Sequence, residues 1–131
     1  MIITVDFNGK KQVNAHFKDF EINTDQPITS GGEGKAPTPF ELFLASMATC
    51  AGIYTRDFCI TREISTEGIT LEQEIVFNKT SKLLEKVFIS ILVPVSFPSK
   101  YDEALIHVAS LCLVKKQLRE DIELEIKIIR S

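Results

Sequence analysis

From Leu42 to Tyr54 the chain reads LFLASMATCAGIY, with no ionisable group except the Cys50 thiol and the Tyr54 phenol. The residues just before it mark this stretch as a helix. Thr38 is a good N-cap, Pro39 suits the first helical position, and Glu41 stands three residues after Thr38 to complete a capping box. Phe40, Phe43, Leu44, Met47, Ala48 and Ala51 make one apolar stripe, while Leu42, Ala45, Thr49, Cys50, Gly52 and Ile53 leave the other face uncharged as well. A helix that is apolar all round is a buried one, and about 13 such residues are too few for a bilayer, which needs about 20. A chain of 131 residues has little material with which to surround it. Ala45, Ser46, Ala48, Thr49, Ala51 and Gly52 would let a second backbone approach closely, so the expectation is a homodimer with this helix at or near its centre. Charge returns at Arg56 and Asp57, and the helix is expected to end about a turn later.

The flanking segments read mostly as strands. Ile3, Val5 and Phe7 alternate with polar residues, and Asn8-Gly9 is a two-residue hairpin signal ahead of Val13, Ala15 and Phe17. Phe20 and Ile22 extend the pattern to a third strand, and Thr24 to Pro37, with Gly31, Gly32 and Gly34, reads as a long loop. After the helix, Leu71, Ile75 and Phe77 lie in one strand, a polar turn spans Asn78 to Lys82, and Val87 to Val95 form a second strand, apolar on both faces and therefore central. Ser99 and Asp102 mark another helix start, with Tyr101, Leu105, Val108 and Cys112 at helical spacing, which puts Cys112 on the buried face. Ile122, Leu124, Ile126 and Ile128 alternate with Asp121, Glu123, Glu125 and Lys127 as a half-exposed closing strand. The order βββ-α-ββ-α-β defines an α+β fold, read as a single domain over residues 1–131.

Composition excludes several classes. The hydrophobic share of 44%, with nine Phe, supports a real core. A net charge of −3 argues against a nucleic-acid partner. Met1 to Phe7 already alternate like a strand and carry no export signal, so the chain is expected in the cytoplasm, without a membrane partner. Three cysteines without CxxC spacing indicate neither a disulfide framework nor a zinc site. GGEG lacks a following GK[ST], so nucleotide binding has no support. His16 and His107 read as surface histidines.

What remains is thiol chemistry. A cysteine attacks as its thiolate, and apolar surroundings disfavour that form unless a cation or a helix N-terminus counters them. Free cysteine also packs as a small hydrophobe, so Cys50 and Cys112 each have a purely structural reading. Cys59 lies nine helical residues from Cys50, ~13 Å at ~1.5 Å per residue, beyond disulfide reach. Lys115, Lys116 and Arg119 follow Cys112 and could lower its pKa, or could complement a helix dipole instead.

Two longer stretches, GGEGKAPTPFELFLASMATC and ASLCLVKKQLREDIELEIKI, resemble the OsmC/Ohr family of osmotically inducible and organic hydroperoxide resistance proteins. The matching positions are Pro39, Glu41, Leu42 and Phe43 ahead of Cys50, then Cys112, Val114 and Leu118 in a C-x-V-x-x-x-L helical segment. The resemblance implies an OsmC-like fold with a buried central helix, in an intertwined homodimer with its sites at the subunit interface. It implies a thiol peroxidase of oxidative-stress defence that needs no metal or cofactor. Cys50 would be the peroxidatic thiol and Cys112 the resolving one, with an external dithiol as reductant. Apolar walls from Phe40, Phe43, Met47 and Tyr54 would favour organic hydroperoxides.

The sequence also departs from that family. Phe40 occupies the position ten before Cys50 where the resemblance calls for a glutamate, and no arginine precedes Arg56. Lys10, Lys11, Lys18 and Lys35 are the available cations, without the planar guanidinium fork. The alternative is a dimeric module of the same fold that binds a small apolar ligand or senses redox state, its cysteines serving as packing. The two readings differ in the thiolate fraction of Cys50 at neutral pH.

Overall fold

The computed structural model describes residues 1–118 and 122–131. Two compact units divide the chain, Met1–Ala45 and Ser46–Ser131. The first holds an antiparallel meander of β1 (Thr4–Phe7), β2 (Val13–Phe17) and β3 (Phe20–Thr24). The Asn8-Gly9 signal does not make a two-residue hairpin. Phe7 pairs with Val13, leaving Asn8–Gln12 as the loop, closed by Gln12 N–H to Gly9 C=O at 3.0 Å. The register explains the difference. A two-residue loop would set Lys10 and Gln12 beside Phe7 and Val5, whereas the observed pairing aligns Val5, Ala15 and Ile22 across one face. That face stays open, with Phe7 80% exposed in the single chain.

Asp25 organises the long loop that follows. Its carboxylate is buried and accepts the backbone N–H groups of Gln26 (2.7 Å), Lys35 (3.1 Å) and Glu33 (3.3 Å). Gly32 packs so closely that a Cβ there would lie 1.9 Å from the Gln26 carbonyl oxygen, so no larger residue fits. Burial pushes the Asp25 carboxyl up, but the three N–H donors and the Lys35 charge outweigh it and hold the group below its ordinary value. The loop delivers the chain to the expected capping box. Thr38 Oγ1 accepts the Glu41 N–H at 3.2 Å, and Glu41 returns a carboxylate oxygen to the Thr38 N–H at 2.7 Å.

This cap opens α1 (Pro39–Thr61), which continues into the second unit. There β4 (Thr70–Phe77), β5 (Leu84–Val93) and β6 (Glu123–Arg130) form a sheet in the order β4-β5-β6, antiparallel and then parallel. β5 is central, as its apolar sequence requires, and Val87, Ile89, Ile91 and Val93 are buried. The turn before it is held by Asn78 Oδ1, which accepts the N–H groups of Thr80 and Ser81, both at 2.9 Å. Met47, Ala51, Thr55, Phe58 and Cys59 form the buried stripe of α1. Its opposite face is not covered within one chain, and Ile53 and Ile60 are each 59% exposed.

The second helix, α2 (Asp102–Ser110), follows a 3-10 turn at Ser99–Tyr101 and is shorter than the helical spacing of Tyr101 to Cys112 predicts. Two contacts fix its start. Asp102 receives a two-pronged ion pair from Arg130 of β6, and the Tyr101 ring meets Phe58 edge-on at 5.9 Å, with the Arg62 guanidinium 3.7 Å above Phe58. Cys112 is buried, as expected, but lies beyond α2 rather than on its face. The helical segment expected from Cys112 to Leu118 is a single 3-10 turn at Lys115–Gln117, and Leu118 is already extended. The readings placed on Arg119 and Asp121 lie outside the described residues.

Two outcomes test this construction. Thr38→Ala should lower unfolding stability by about 1 kcal/mol, the usual worth of an N-cap, in a urea titration. Asp25 has a depressed folded pKa, so its charge stabilises above the ordinary carboxylate range, and that contribution is lost as pH falls through the folded value. Asp25→Asn should therefore lower the urea midpoint at pH 7, and its deficit relative to the native chain should shrink below about pH 4.

Candidate functional site

The second unit brings Cys50 and Cys112 together. Cys50 is half-buried on α1, Cys112 is fully buried just after α2, and both are free thiols. They lie close enough for each to shift the other's ionisation. The turn after Cys112 completes the arrangement. The Lys115 N–H donates to the Cys112 sulfur at 3.4 Å, and the backbone amides of Val114 and Leu113 favour a Cys50 thiolate. Successive N–H groups at the start of a turn form a concave nest for negative charge. The Cys112 sulfur thereby takes the first N–H of the 3-10 turn at Lys115–Gln117, while α2 has already ended where the Leu111 N–H turns to the Val108 carbonyl.

The two thiols are pushed in opposite directions. Burial raises Cys50, but the Val114 N–H, the Cys112 thiol and the Leu113 N–H together outweigh it, and the net shift is downward. Cys112 is raised by burial first, then by its hydrogen bond to Cys50 and by the charge of Cys50, against the weaker N–H donation of Lys115 and Val114. Both shifts favour the same state, a Cys50 thiolate beside a protonated Cys112. Cys59 is different, because its buried thiol is raised by desolvation with only the Arg62 charge opposing.

The groups that hold the Cys50 thiolate are thus dipoles and a thiol. Lys115 contributes its backbone N–H, and neither a helix dipole nor the ammonium charge is needed to explain its effect on Cys112. Lys10, Lys11, Lys18 and Lys35 belong to the first unit, where the Lys35 ammonium pairs with Glu33 at 3.2 Å. Glu41 is engaged in the capping box. His16 pairs with Asp6 at 2.9 Å, and the backbone carbonyl of His107 accepts the Ser110 hydroxyl at 2.6 Å.

The expected apolar walls are only partly accessible. The rings of Phe40 and Phe43 stack at 5.9 Å and keep exposed surface, Tyr54 is half-buried, and Met47 is wholly buried in the second unit's core. The functional groups that sequence reasoning misses are the backbone N–H groups of Leu113, Val114 and Lys115. No residue type announces them, because any non-proline residue carries the same donor. Among the described residues no group of three His, Cys, Asp or Glu could hold a metal, and no helix is long and apolar enough to cross a membrane.

The family model for OsmC-like protein matches residues 32–127, a span that includes both cysteines. The chain belongs to the OsmC-like family. Solved structures agree across nearly its whole length. A protein from Psychrobacter arcticus 273-4 named for osmotic stress induction and a detoxification response is 26% identical, covering 96% of this chain and 93% of that one, with a TM-score of 0.80. An OsmC-like protein from Mycoplasma pneumoniae shares the fold at 15% identity, with 99% and 96% coverage and a TM-score of 0.77. The organic hydroperoxide resistance protein OsmC from Legionella pneumophila is 21% identical over 98% and 95% of the two chains, with a TM-score of 0.63. No curated protein matches the chain. The α+β architecture of this OsmC-like protein is thus that of its family.

The polarity of the thiol pair sets a measurable order of reactivity. In iodoacetamide labelling followed by peptide mass spectrometry, Cys50 should titrate with a midpoint below the ordinary cysteine value of about 8.5, and Cys59 should stay unreactive while the chain is folded. Cys112→Ala removes the S–H donor and should move the Cys50 midpoint upward. An unchanged midpoint would mean that the backbone N–H groups alone hold the thiolate.

Proposed function

We propose that this OsmC-like protein is a cysteine-dependent peroxidase that reduces organic hydroperoxides to alcohols in oxidative-stress defence. The Cys50–Cys112 pair carries the reading, since packing alone requires neither two neighbouring thiols shifted in opposite directions nor the Lys115 N–H donated to the Cys112 sulfur. Solved relatives named for organic hydroperoxide resistance, from Legionella pneumophila and Elizabethkingia anophelis, support the substrate class.

In the proposed cycle the Cys50 thiolate attacks the distal oxygen of ROOH. The O–O bond breaks, the sulfur is oxidised by two electrons to a sulfenic acid, and the leaving alkoxide takes a proton to depart as ROH. The Cys112 thiol then displaces hydroxide from the sulfenic sulfur, so that an S–S bond forms and water leaves. An external dithiol reduces this disulfide through a mixed disulfide and is itself oxidised. Phe40, Phe43, Met47 and Tyr54 are the apolar α1 residues proposed to receive the alkyl group. The first two and Tyr54 have accessible surface, while Met47 has none within one chain.

A homodimer is part of the same proposal. Phe7 and Phe20 on the first sheet, and Ile53 and Ile60 on α1, leave apolar surface that a single chain does not cover. The catalytic test is kinetic. Cys50→Ser should abolish turnover of cumene hydroperoxide, and Cys112→Ser should consume about one equivalent and accumulate a Cys50 sulfenic acid trappable by dimedone. Retained turnover in Cys50→Ser would overturn the assignment.

A further inference from the structure

The polar face of the first sheet holds a pocket of its own. Register places Asp6, Asn14 and Asn23 side by side on the face opposite Val5, Ala15 and Ile22. A cavity of about 330 Å³ lies within the Met1–Ala45 unit, lined by Asn14, Glu21 and Asn23 of the sheet, Asn8 and Gln12 of the β1–β2 loop, and Lys35 of the long loop. That size falls among small-molecule sites. The long loop beside it is fixed. Glu33 accepts both the Gln12 Nε2–H and the Lys35 ammonium, each at 3.2 Å, and Asp25 holds the Glu33 and Lys35 N–H groups.

Asn14 marks it as a site. The residue is only 5% exposed, and its carboxamide makes no hydrogen bond among the described residues. Neither polar atom of that carboxamide is sealed off, so the little surface Asn14 keeps includes the amide, and it opens into this cavity. Strand interiors are poor in asparagine, and a buried amide without a partner costs free energy that a bound molecule recovers. The exposed carboxamides of Asn8 and Asn23 are likewise without a hydrogen bond among the described residues, and Glu21 makes no ion pair among them.

The lining specifies the ligand. Of the lining residues only Ala36 is apolar and none is aromatic, so the pocket has no floor for a hydrocarbon body. Glu21 and Lys35 carry opposite charges, so it selects no net charge on its occupant. A carboxamide sets an acceptor oxygen beside an NH2 donor, the complement of adjacent hydroxyls, each of which both donates and accepts. The Glu21 carboxylate adds acceptors whose charge strengthens hydrogen bonds from hydroxyls. We propose that this pocket binds a small uncharged polyol, a monosaccharide or its reduced form, with Asn14 at its base and Asn8, Asn23 and Glu21 meeting the outer hydroxyls. The proposal goes beyond the peroxidase reading and does not depend on Cys50.

The test is a titration of the full-length reduced chain with glucose and sorbitol, with cyclohexanol and glycine in parallel, followed by amide NMR. Glucose or sorbitol should give saturable shifts of the Asn8, Asn14 and Asn23 side-chain amides, and the better of the two should bind at least tenfold more tightly than cyclohexanol or glycine. Asn23→Ala, at an exposed position, should weaken it several-fold with an unchanged thermal midpoint. The near-isosteric Asn14→Leu should weaken it about tenfold. The unliganded Asn14→Leu variant should nevertheless melt no lower than the native chain, because it loses an unbonded amide and no structural hydrogen bond. Cys50→Ser should bind the polyol like the native chain, which separates this proposal from the catalytic one. Absence of saturable shifts, shifts confined to other residues, equal affinity for cyclohexanol or glycine, or Asn14→Leu and Asn23→Ala variants that bind as tightly as native would each overturn it.

Discussion

The approach of Cys50 to Cys112 is the constraint that gives the rest of the second unit its purpose. It demands that a sulfur in the middle of α1 meet one that lies beyond the end of α2. The capping box at Thr38 and Glu41 sets where α1 starts. The Arg130 fork on Asp102, the Arg62 guanidinium over Phe58 and the edge-on Phe58–Tyr101 contact tie the start of α2 to β6 and to α1. Fixed at its first turn, and stopped at Ser110, α2 leaves Cys112 buried against the core with its backbone free to turn. Charged groups on the surface thus determine the geometry of a nearly uncharged site.

Much of this was legible in the residues because local and global preferences agree. Thr38, Pro39 and Glu41 specify a helix start through hydrogen bonds that involve only neighbours, and they form as written. β5 is central because Val87, Ile89, Ile91 and Val93 fill one face with buried apolar side chains and Phe88 and Leu92 make much of the other apolar too. Where the two levels conflict, tertiary pairing prevails. Asn8-Gly9 favours a tight turn, but the alternation from Val13 to Phe17 fixes a register the tight turn cannot give, and a longer loop results. The end of α2 was illegible for a different reason. Helical spacing from Tyr101 to Cys112 is real, but the Ser110 hydroxyl takes the His107 carbonyl and the Leu111 N–H turns to Val108, and the spacing cannot show which partner each group takes. The thiolate's support escaped for the same cause: side chains are written in a sequence, while the direction of backbone N–H groups belongs to the fold.

The family resemblance also needs to be weighed against what this chain lacks. Without an arginine before Arg56, a buried thiolate would be costly if side-chain charge were its only support. The nest at Leu113, Val114 and Lys115 supplies support of another kind, with partial charges already oriented and no ammonium or guanidinium to desolvate. Support of this form is short in range and tied to one backbone conformation. It therefore depends on the segment after Cys112 keeping its turn, whereas a long cationic side chain could follow a moving sulfur.

That dependence couples the two halves of the proposed cycle. Before oxidation, the Cys50 charge is one of the causes that hold the Cys112 thiol up, so the resolving group stays protonated and unreactive while it stabilises its partner. Oxidation of Cys50 to the neutral sulfenic acid removes that charge and, with it, the upward electrostatic push on Cys112. The N–H groups of Lys115 and Val114 remain in place and continue to favour the Cys112 thiolate. The first chemical step thereby lowers the barrier to ionising the nucleophile of the second. In the proposed cycle the thiol that lowers the Cys50 pKa is also the one that resolves its sulfenic acid, and the proton that completes the alcohol comes from solvent.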